Sequence, residues 1–131
     1  MTEPTPLTTW HRIVESRDPA LLDDFLAEDA VFRSPAVHTP QEGKALVTAY
    51  LSAAMVVLGP TLAYQHEWVD ESSAVLEFTA ELDGLQVHGI DMIRWREDGR
   101  VTEFTVMVRP FKGLTRLMEL MAAQLEHTRN H

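Results

Sequence analysis

Two Asp-Gly pairs, Asp83-Gly84 and Asp98-Gly99, each separate stretches in which apolar and polar residues alternate. An Asp-Gly pair in that setting is a strong signal for a β-hairpin with a two-residue turn, because both turn residues need a positive φ. The alternation around the pairs predicts three antiparallel strands, and a fourth precedes them. The predicted strands cover roughly residues 62–69, 74–82, 85–96 and 100–109. The second half of the chain therefore predicts a sheet.

Helical spacing of apolar residues prevails in the first part of the chain. Thr5-Pro6 has the pattern of an N-cap followed by proline at the first helical position, and Asp18-Pro19 repeats that pattern. A short apolar run over roughly residues 30–32 predicts a strand that ends at Ser34-Pro35. These signals predict two helices followed by a strand.

The clearest local signal for a helix start is Thr39-Pro40-Gln41-Glu42, which matches a capping box with proline at the first helical position. The predicted helix ends at Gly59-Pro60, and helical spacing returns after Pro110. The predicted order is α-α-β-α-β-β-β-β-α, in which helices can cover one face of an antiparallel sheet. We therefore predict an α+β fold in a single domain that spans residues 1–131.

The acidic, cysteine-free composition disfavours or excludes several functions. Eleven Lys and Arg against twenty Asp and Glu give a net charge of −9, which disfavours nucleic acid and anionic membranes as partners. Without cysteine there is no disulfide, thiolate metal site or thiol nucleophile. The N-terminal residues lack the basic and apolar segments of a secretory signal, so a cytoplasmic location is expected.

Six histidines prompt a search for a metal site. The pairs to consider are His66 with His88, on different predicted strands, and His127 with His131, near the C-terminus. Neither pair has the spacing or the accompanying carboxylates of a metal-binding motif, and no glycine-rich phosphate loop is present. We therefore expect no metal and no organic cofactor.

The hairpin register directs attention to Asp91. If both Asp-Gly pairs form two-residue turns, Asp91 lies opposite Leu76 on one neighbouring strand and Val106 on the other. Because side chains alternate between the two faces of a sheet, Asp91 is then the one charged residue on an apolar face. A slip of one residue would move it to the other face. The apolar residues predicted on that face are Leu76, Phe78, Ala80, Val87, Ile93, Phe104, Val106 and Val108.

A carboxyl group in apolar surroundings is costly to ionise, so burial is expected to raise the pKa of Asp91. The neutral acid can donate a hydrogen bond to a carbonyl or enolate oxygen, and the ionised form can act as a base. The alternative is a structural Asp91, satisfied by a neighbouring hydroxyl, indole N–H or imidazole. His38, in the loop before the predicted capping box, is a candidate acid–base partner or else a solvated loop residue.

The opposite face of the predicted sheet also carries apolar side chains, beside Glu77 and His88. They include Val75, Ile90, Met92 and Met107. Because the helices are needed on the face of Asp91, this second face predicts a homodimer formed sheet to sheet. A scatter of singly exposed apolar residues is the alternative.

Three segments carry a resemblance to a known family: Leu26–Phe32, Gly89–Trp95 and Asp98–Val101. With this order of elements, they resemble the nuclear transport factor 2-like superfamily, in its SnoaL-like, ketosteroid isomerase-like branch. The resemblance implies a cone-shaped curved sheet, helices that cover it, one deep apolar pocket and often a dimer. It also implies a small, largely apolar ligand that is isomerised, cyclised or hydrolysed. Binding without catalysis, and a protein-interaction module with a filled pocket, are the alternatives.

The candidate catalytic residues of such a pocket are Asp91, which the resemblance supports, and His38, whose loop would lie at the mouth of the pocket. The residues expected to line the pocket are Trp10, Phe32, Ser34, Tyr50, Phe78, Phe104, Val106 and Val108. Aromatic residues at these spacings are also typical of an ordinary core, and Ser34 is expected to form a turn or a hydrogen bond in the pocket rather than to act as a nucleophile.

The isomerase pattern is kept at one of its three positions. Asp91 matches its protonated aspartate, Ser34 stands where its base aspartate would be, and Trp10 aligns with its tyrosine. Steroid isomerisation by that set of three groups is therefore not expected. The epoxide hydrolases of the superfamily use an arginine and two aspartates, and Val106 lies where the second aspartate would be sought.

Overall fold

The computed structural model describes residues 6–129, which form helices on one face of a curved, open six-stranded sheet. The helices are α1 (Pro6–Ser16), α2 (Leu22–Phe25), α3 (Lys44–Leu58) and α4 (Phe111–Arg129), with a 3₁₀ turn at Pro19–Leu21. The strands are β1 (Leu26–Arg33), β2 (Gln41–Glu42), β3 (Ala63–Val69), β4 (Ser73–Leu82), β5 (Leu85–Trp95) and β6 (Val101–Arg109). The predicted α+β fold is confirmed. Thr5, the predicted N-cap of α1, lies outside the described residues.

The six strands lie in the order β2-β1-β6-β5-β4-β3. The three long hairpin strands are antiparallel neighbours, as predicted, whereas β1 pairs with β6 in parallel. The expectation of a purely antiparallel sheet is therefore wrong at this one pairing. Parallel neighbours require a crossover, and the chain supplies a long one through α3 and four strands, β2 to β5, before it returns to β1.

The first Asp-Gly pair forms the predicted two-residue turn. Asp83 has φ 51° and Gly84 has φ 83°, the pair of positive values that such a hairpin turn requires. Leu82 lies opposite Leu85, and Leu76 lies opposite Asp91 further along the ladder. The register predicted for β4 and β5 is confirmed.

The second Asp-Gly pair belongs to a longer turn than predicted. The N–H of Arg96 donates to the carbonyl of Arg100 at 3.0 Å, and the N–H of Gly99 donates to the carbonyl of Arg96 at 2.9 Å. Gly99 has φ 84°, whereas Asp98 is not among the residues with positive φ in the described chain. This geometry matches a three-residue loop that closes with glycine in the left-handed region.

A second irregularity restores the register between β5 and β6. The longer loop places Trp95 opposite Val101, one residue away from the predicted pairing, and the ladder shifts back between Arg94 and Trp95. Asp91 consequently faces Val106, as predicted. Two deviations of one residue cancel before the ladder reaches the residues that matter for the site.

Helix α3 begins at Lys44, so the predicted capping box is wrong. Gln41 and Glu42 instead form β2 and pair with β1, and the N–H of Gly43 donates to the carbonyl of Ala30 at 2.8 Å. Sheet pairing thus occupies the backbone that the capping box would have used. Gly43, with φ 99°, is the N-cap, and no side chain caps the helix.

Two buried clusters hold the helices to the sheet. The larger packs α1 and α3 against the strands and includes Trp10, Ile13, Leu51, Leu76 and Phe104. The smaller joins the first turns of α4 to the hairpin end of β4 and β5 and includes Leu58, Ala80, Leu82, Val87 and Leu117. Each large apolar side chain buried in this way contributes about 1.5–3 kcal/mol to folding. No helix in the described part of the chain is long and apolar enough to cross a bilayer.

Candidate functional site

A cavity of about 310 Å³ lies between the helices and the inner face of the sheet. Most of the residues that were predicted to line a pocket lie on its wall, together with Asp91. They are Trp10, Phe32, Ser34, Tyr50, Phe78, Phe104 and Val106. Val108, also predicted, packs against the smaller buried cluster instead. The volume is at the lower end of the range of small-molecule sites, about 300–1,000 Å³.

Asp91 is the one charged side chain on the cavity wall within the described residues, and it is 6 % exposed. It comes from the middle of β5, where Leu76 and Val106 flank it on the neighbouring strands. Burial raises the pKa of Asp91 to about 7, and a hydrogen bond from Tyr64 opposes that rise. The predicted direction is confirmed, and both protonation states are populated near neutral pH.

Tyr64 on β3 connects Asp91 to α1. Its hydroxyl donates to Oδ2 of Asp91 at 2.6 Å and accepts from Nε1 of Trp10 at 2.8 Å. Burial, and next to it the charge of Asp91, raises the pKa of Tyr64 well above its ordinary value. Trp10, Tyr64 and Asp91 therefore form a continuous hydrogen-bonded row at the wall of the cavity.

Tyr64 was missed by the sequence analysis because a bulge sets the face on which it lies. From Val69 back to His66, β3 pairs regularly with β4, and His66 lies opposite Glu77. The register then shifts by one residue, so that Tyr64 lies opposite Phe78, an inward-facing residue. Without that bulge Tyr64 would lie on the outer face. The Asp70–Ser73 connection carries no Asp-Gly pair from which the register of β3 could have been derived.

Gly89 makes room for the packing around Tyr64. A Cβ at Gly89 would lie 2.7 Å from Cζ of Phe78, so only glycine lets the Phe78 ring lie over β5. Phe78 in turn meets the ring of Tyr64 edge to face, with the centroids 6.3 Å apart. The missing side chain at Gly89 thus helps to place Tyr64 beside Asp91.

The loop after β1 contributes to the cavity, but His38 is not brought to it. Ser34 to Val37 line the cavity, whereas His38 is exposed beyond them. Oγ of Ser34 accepts the N–H of Ala36 at 3.0 Å, the turn-forming role that was predicted for it. The structure therefore does not place His38 as an acid–base partner of Asp91.

Helix α4 supplies a large part of the wall, which the sequence analysis did not anticipate. Its lining residues are Leu114, Leu117, Met118, Met121, Ala122 and Leu125. Met118 and, from the loop after β1, Val37 both line the cavity while being 42 % and 44 % exposed. The opening of the cavity therefore lies between α4 and this loop.

His66 and His88, the first histidine pair considered for a metal site, lie on the outer face of the sheet. His66 Nδ1 and His88 Nε2 each lie 2.7 Å from a carboxylate oxygen of Glu77. These hydrogen bonds, first that of His88 and then that of His66, lower the pKa of Glu77. This cluster is separated from the cavity by the sheet itself. His131, the partner suggested for His127, lies outside the described residues.

Comparisons with known proteins agree with this geometry. Residues 7–104 match the family model of the SnoaL-like domain. The structure of a steroid delta-isomerase from Pseudomonas aeruginosa is 39% identical, with a TM-score of 0.91 over 96% of this chain and 93% of that chain. An uncharacterized protein with a cystatin-like fold from Silicibacter pomeroyi is 27% identical, with a TM-score of 0.85 over 91% of this chain and 84% of that chain.

A more distant structure shares the fold. It is a putative SnoaL-like polyketide cyclase from Jannaschia sp. that is 12% identical, with a TM-score of 0.67 over 88% of this chain and 95% of that chain. None of the curated proteins compared with the chain matches it. The similarity therefore concerns the domain as a whole, in both its fold and its sequence.

Proposed function

The chain belongs to the SnoaL-like domain family, and we propose that it binds a small, largely apolar molecule in its cavity and moves a proton on that molecule through Asp91. The observation that carries this proposal is a buried carboxyl group, with a pKa of about 7, on the wall of an otherwise apolar cavity. Titratable groups that combine burial with a position in a cleft are candidates for functional sites.

A carboxyl group with this pKa can serve in both directions at neutral pH. The ionised form can take a proton from a carbon next to a carbonyl group, and the neutral form can return it at another position. Such a transfer isomerises the ligand. The carbanion left by the first step can instead close a ring by adding to a second carbonyl carbon of the ligand, whose oxygen then takes the proton back from Asp91. The 39% identical steroid delta-isomerase among the similar structures supports this class of chemistry.

The polar groups around Asp91 differ from the isomerase pattern named above. Ser34 occupies the wall where that pattern has a base aspartate, and the tyrosine comes from β3, as Tyr64, rather than from the first helix. In our proposal Asp91 therefore carries the proton alone. The apolar wall then selects the substrate, because one charged group on a largely apolar surface favours a molecule with one polar end.

Binding without catalysis is the second candidate function. It is favoured by the placement of His38 outside the cavity, since the other titratable side chains on the described wall are Tyr50 and Tyr64. A site with one proton carrier and no second acid or base suits a carrier or sensor as well as an enzyme. The two candidates predict the same ligand class but differ in whether the ligand exchanges protons.

Proton exchange on a ketone separates these candidates. A panel of apolar β,γ-unsaturated ketones would be incubated with the protein in D₂O, and deuterium uptake and double-bond migration would be followed by NMR. We expect uptake by the wild type and a loss of about 100-fold or more in Asp91→Asn, the range typical of general acid–base groups. The matched control is Asp98→Asn, at an exposed turn. Binding without uptake would favour the carrier, and no binding by any ketone in the panel would overturn the proposal for this ligand class.

We also propose that two copies associate through the outer face of the sheet. Trp68 and Met107 are more than half exposed there, and Val75, Ile90 and Met92 lie between them, half-buried. An apolar face of this kind on the side without helices suits a self-complementary contact between identical sheets.

A further inference from the structure

The row from Trp10 through Tyr64 to Asp91 has a direction. An indole N–H can only donate, so the Tyr64 oxygen must accept in the 2.8 Å contact with Trp10. The single hydroxyl proton of Tyr64 is then free to point away from the indole, toward Oδ2 of Asp91 at 2.6 Å. The chemistry of the first donor thus decides the sense of the second hydrogen bond.

Trp10 is held firmly enough to impose that direction. It is 4 % exposed, and its ring stacks on Phe25 at 5.4 Å and meets the edge of Phe104 at 4.9 Å between centroids. These contacts come from two different elements, α2 and β6. An indole packed against both presents its N–H at a constant position, and the Tyr64 oxygen lies there.

The second carboxyl oxygen of Asp91 is left for the cavity. Within residues 6–129 the carboxyl group has its hydrogen bond from Tyr64 at Oδ2, and every fully enclosed side-chain polar atom has a partner. Oδ1 has no such partner there, so it is not fully enclosed. Because Asp91 lines the cavity, Oδ1 is the atom that a ligand meets.

We propose that Trp10 and Tyr64 are positioning residues that act on Asp91 in series. The Trp10 indole orients the Tyr64 hydroxyl, and this hydroxyl holds Oδ2, so that Oδ1 alone exchanges a proton or a hydrogen bond with the ligand. The assignment of Oδ1 to a ligand rests on the proposed function, whereas the serial action of the two side chains does not. Tyr64 is therefore a partner of Asp91 and not a second donor to the ligand.

Few other charges face this row. Tyr50 on α3 is the remaining titratable group on the described cavity wall, and α4 and the loop after β1 contribute none. Beside Tyr64, His11 on α1 pairs with Glu67 on β3, and the His11 ring meets the Tyr64 ring at 5.4 Å. The titration of Asp91 thus reports mainly on its burial and on the donor at Oδ2.

The test is a titration of the Asp91 carboxyl carbon by ¹³C NMR, in protein labelled at aspartate and assigned with Asp91→Asn. We expect Tyr64→Phe to raise the midpoint by about one pH unit, because the ionised form loses a charge-assisted hydrogen bond. Trp10→Phe should raise it by less, since Tyr64 remains but is no longer oriented. The matched control is Tyr50→Phe, which removes another hydroxyl from the same cavity and should leave the midpoint unchanged.

The double variant Trp10→Phe/Tyr64→Phe tests the serial order. If Trp10 acts through Tyr64, the Asp91 midpoint in the double variant equals that in Tyr64→Phe alone, whereas independent effects of the two substitutions would add. Additive shifts, or no shift in Trp10→Phe, would overturn the proposal. A purely structural role would lower the melting temperature of the variants and leave the midpoint in place.

A measurement on the wild type covers the case in which Trp10→Phe does not fold. The indole ¹⁵N–¹H signal of Trp10 should move with the same midpoint as the Asp91 carboxyl, because the two groups share one hydroxyl. A stationary indole signal would contradict the series. No ligand is needed in these experiments. They therefore test the serial action of Trp10 and Tyr64 separately from the proposed function, which the ketone panel tests.

Discussion

The carboxyl group of Asp91 links the site to the stability of the fold. Its pKa is about 7 in the folded protein, mainly because of burial, against about 3.9 for an unfolded aspartate. A raised carboxyl pKa means that ionisation opposes folding. This residue therefore costs no stability below pH 4 or so, costs progressively more as pH rises toward 7, and costs a constant amount above. Its full cost is on the order of 4 kcal/mol.

We expect Asp91→Asn to stabilise the protein at alkaline pH. The amide cannot ionise, and its oxygen can still accept from Tyr64, so the variant should gain a few kcal/mol over the wild type above pH 7 or so. The difference should shrink as pH falls below 7 and vanish below about pH 4. Urea unfolding of both proteins at several pH values measures it. A variant that is less stable than the wild type at alkaline pH would show that the carboxylate is a structural anion.

Asp98→Asn should show the opposite sign. The pKa of Asp98 is lowered, first by the N–H of Arg100, whose donor atom lies 2.9 Å from Oδ1, so the ionised form favours the fold. That contribution is present above the unfolded pKa and is lost as pH falls through the folded value. Removing the charge should therefore cost stability at neutral pH and cost little in acid. The same unfolding series checks both variants, and parallel pH profiles would contradict the assignment.

The start of α3 shows how a sheet can override a strong helix signal. Thr39 to Glu42 have the residue types of a capping box, yet Gln41 and Glu42 are taken into the ladder with β1. Local preferences of this kind are worth about 1 kcal/mol, and tertiary pairing can outweigh them. The helix then starts at the next residue whose backbone permits it, after Gly43.

A pair of substitutions at this junction tests that account. Thr39→Ala should change the free energy of unfolding by less than about 0.5 kcal/mol, because Thr39 caps no helix and is exposed. Gly43→Ala should cost about 1 kcal/mol or more, because φ there is 99° and open space around the Cβ offers no compensation. Chemical denaturation of the two variants provides the measurement. A larger loss of unfolding free energy in Thr39→Ala would instead support the capping-box interpretation.

The outer face is a property of the whole molecule, since it collects side chains from four strands. We expect sedimentation at micromolar concentration to show a dimer for the wild type and a monomer for Met107→Glu, which places a charge on an exposed part of this face. Val56→Glu is the matched control, because Val56 is 55 % exposed on α3 and away from the sheet. A monomeric wild type, or dissociation by both variants alike, would refute the interface.

Much of the architecture follows from local chemistry in the sequence. The four strands of the second half, the two-residue turn at Asp83-Gly84 and the inward position of Asp91 were predicted from alternation and turn residues. These features depend on contacts between residues close in the chain, where the period of the side chains and the φ values of a turn leave little choice. The register of β5 and β6 was predicted correctly even though its turn is longer, because the bulge at Arg94 compensates.

The parts that only the tertiary structure decided depend on contacts between distant segments. The parallel pairing of β1 with β6 forms across most of the chain, and the α4 wall of the cavity depends on where that helix docks after β6. The inward orientation of Tyr64 depends on a bulge that the residue types of β3 do not predict. Its two partners lie 54 residues away, in Trp10, and 27 residues away, in Asp91. Sequence alternation could predict a buried carboxyl group, but only the packed fold determines which hydroxyl meets it.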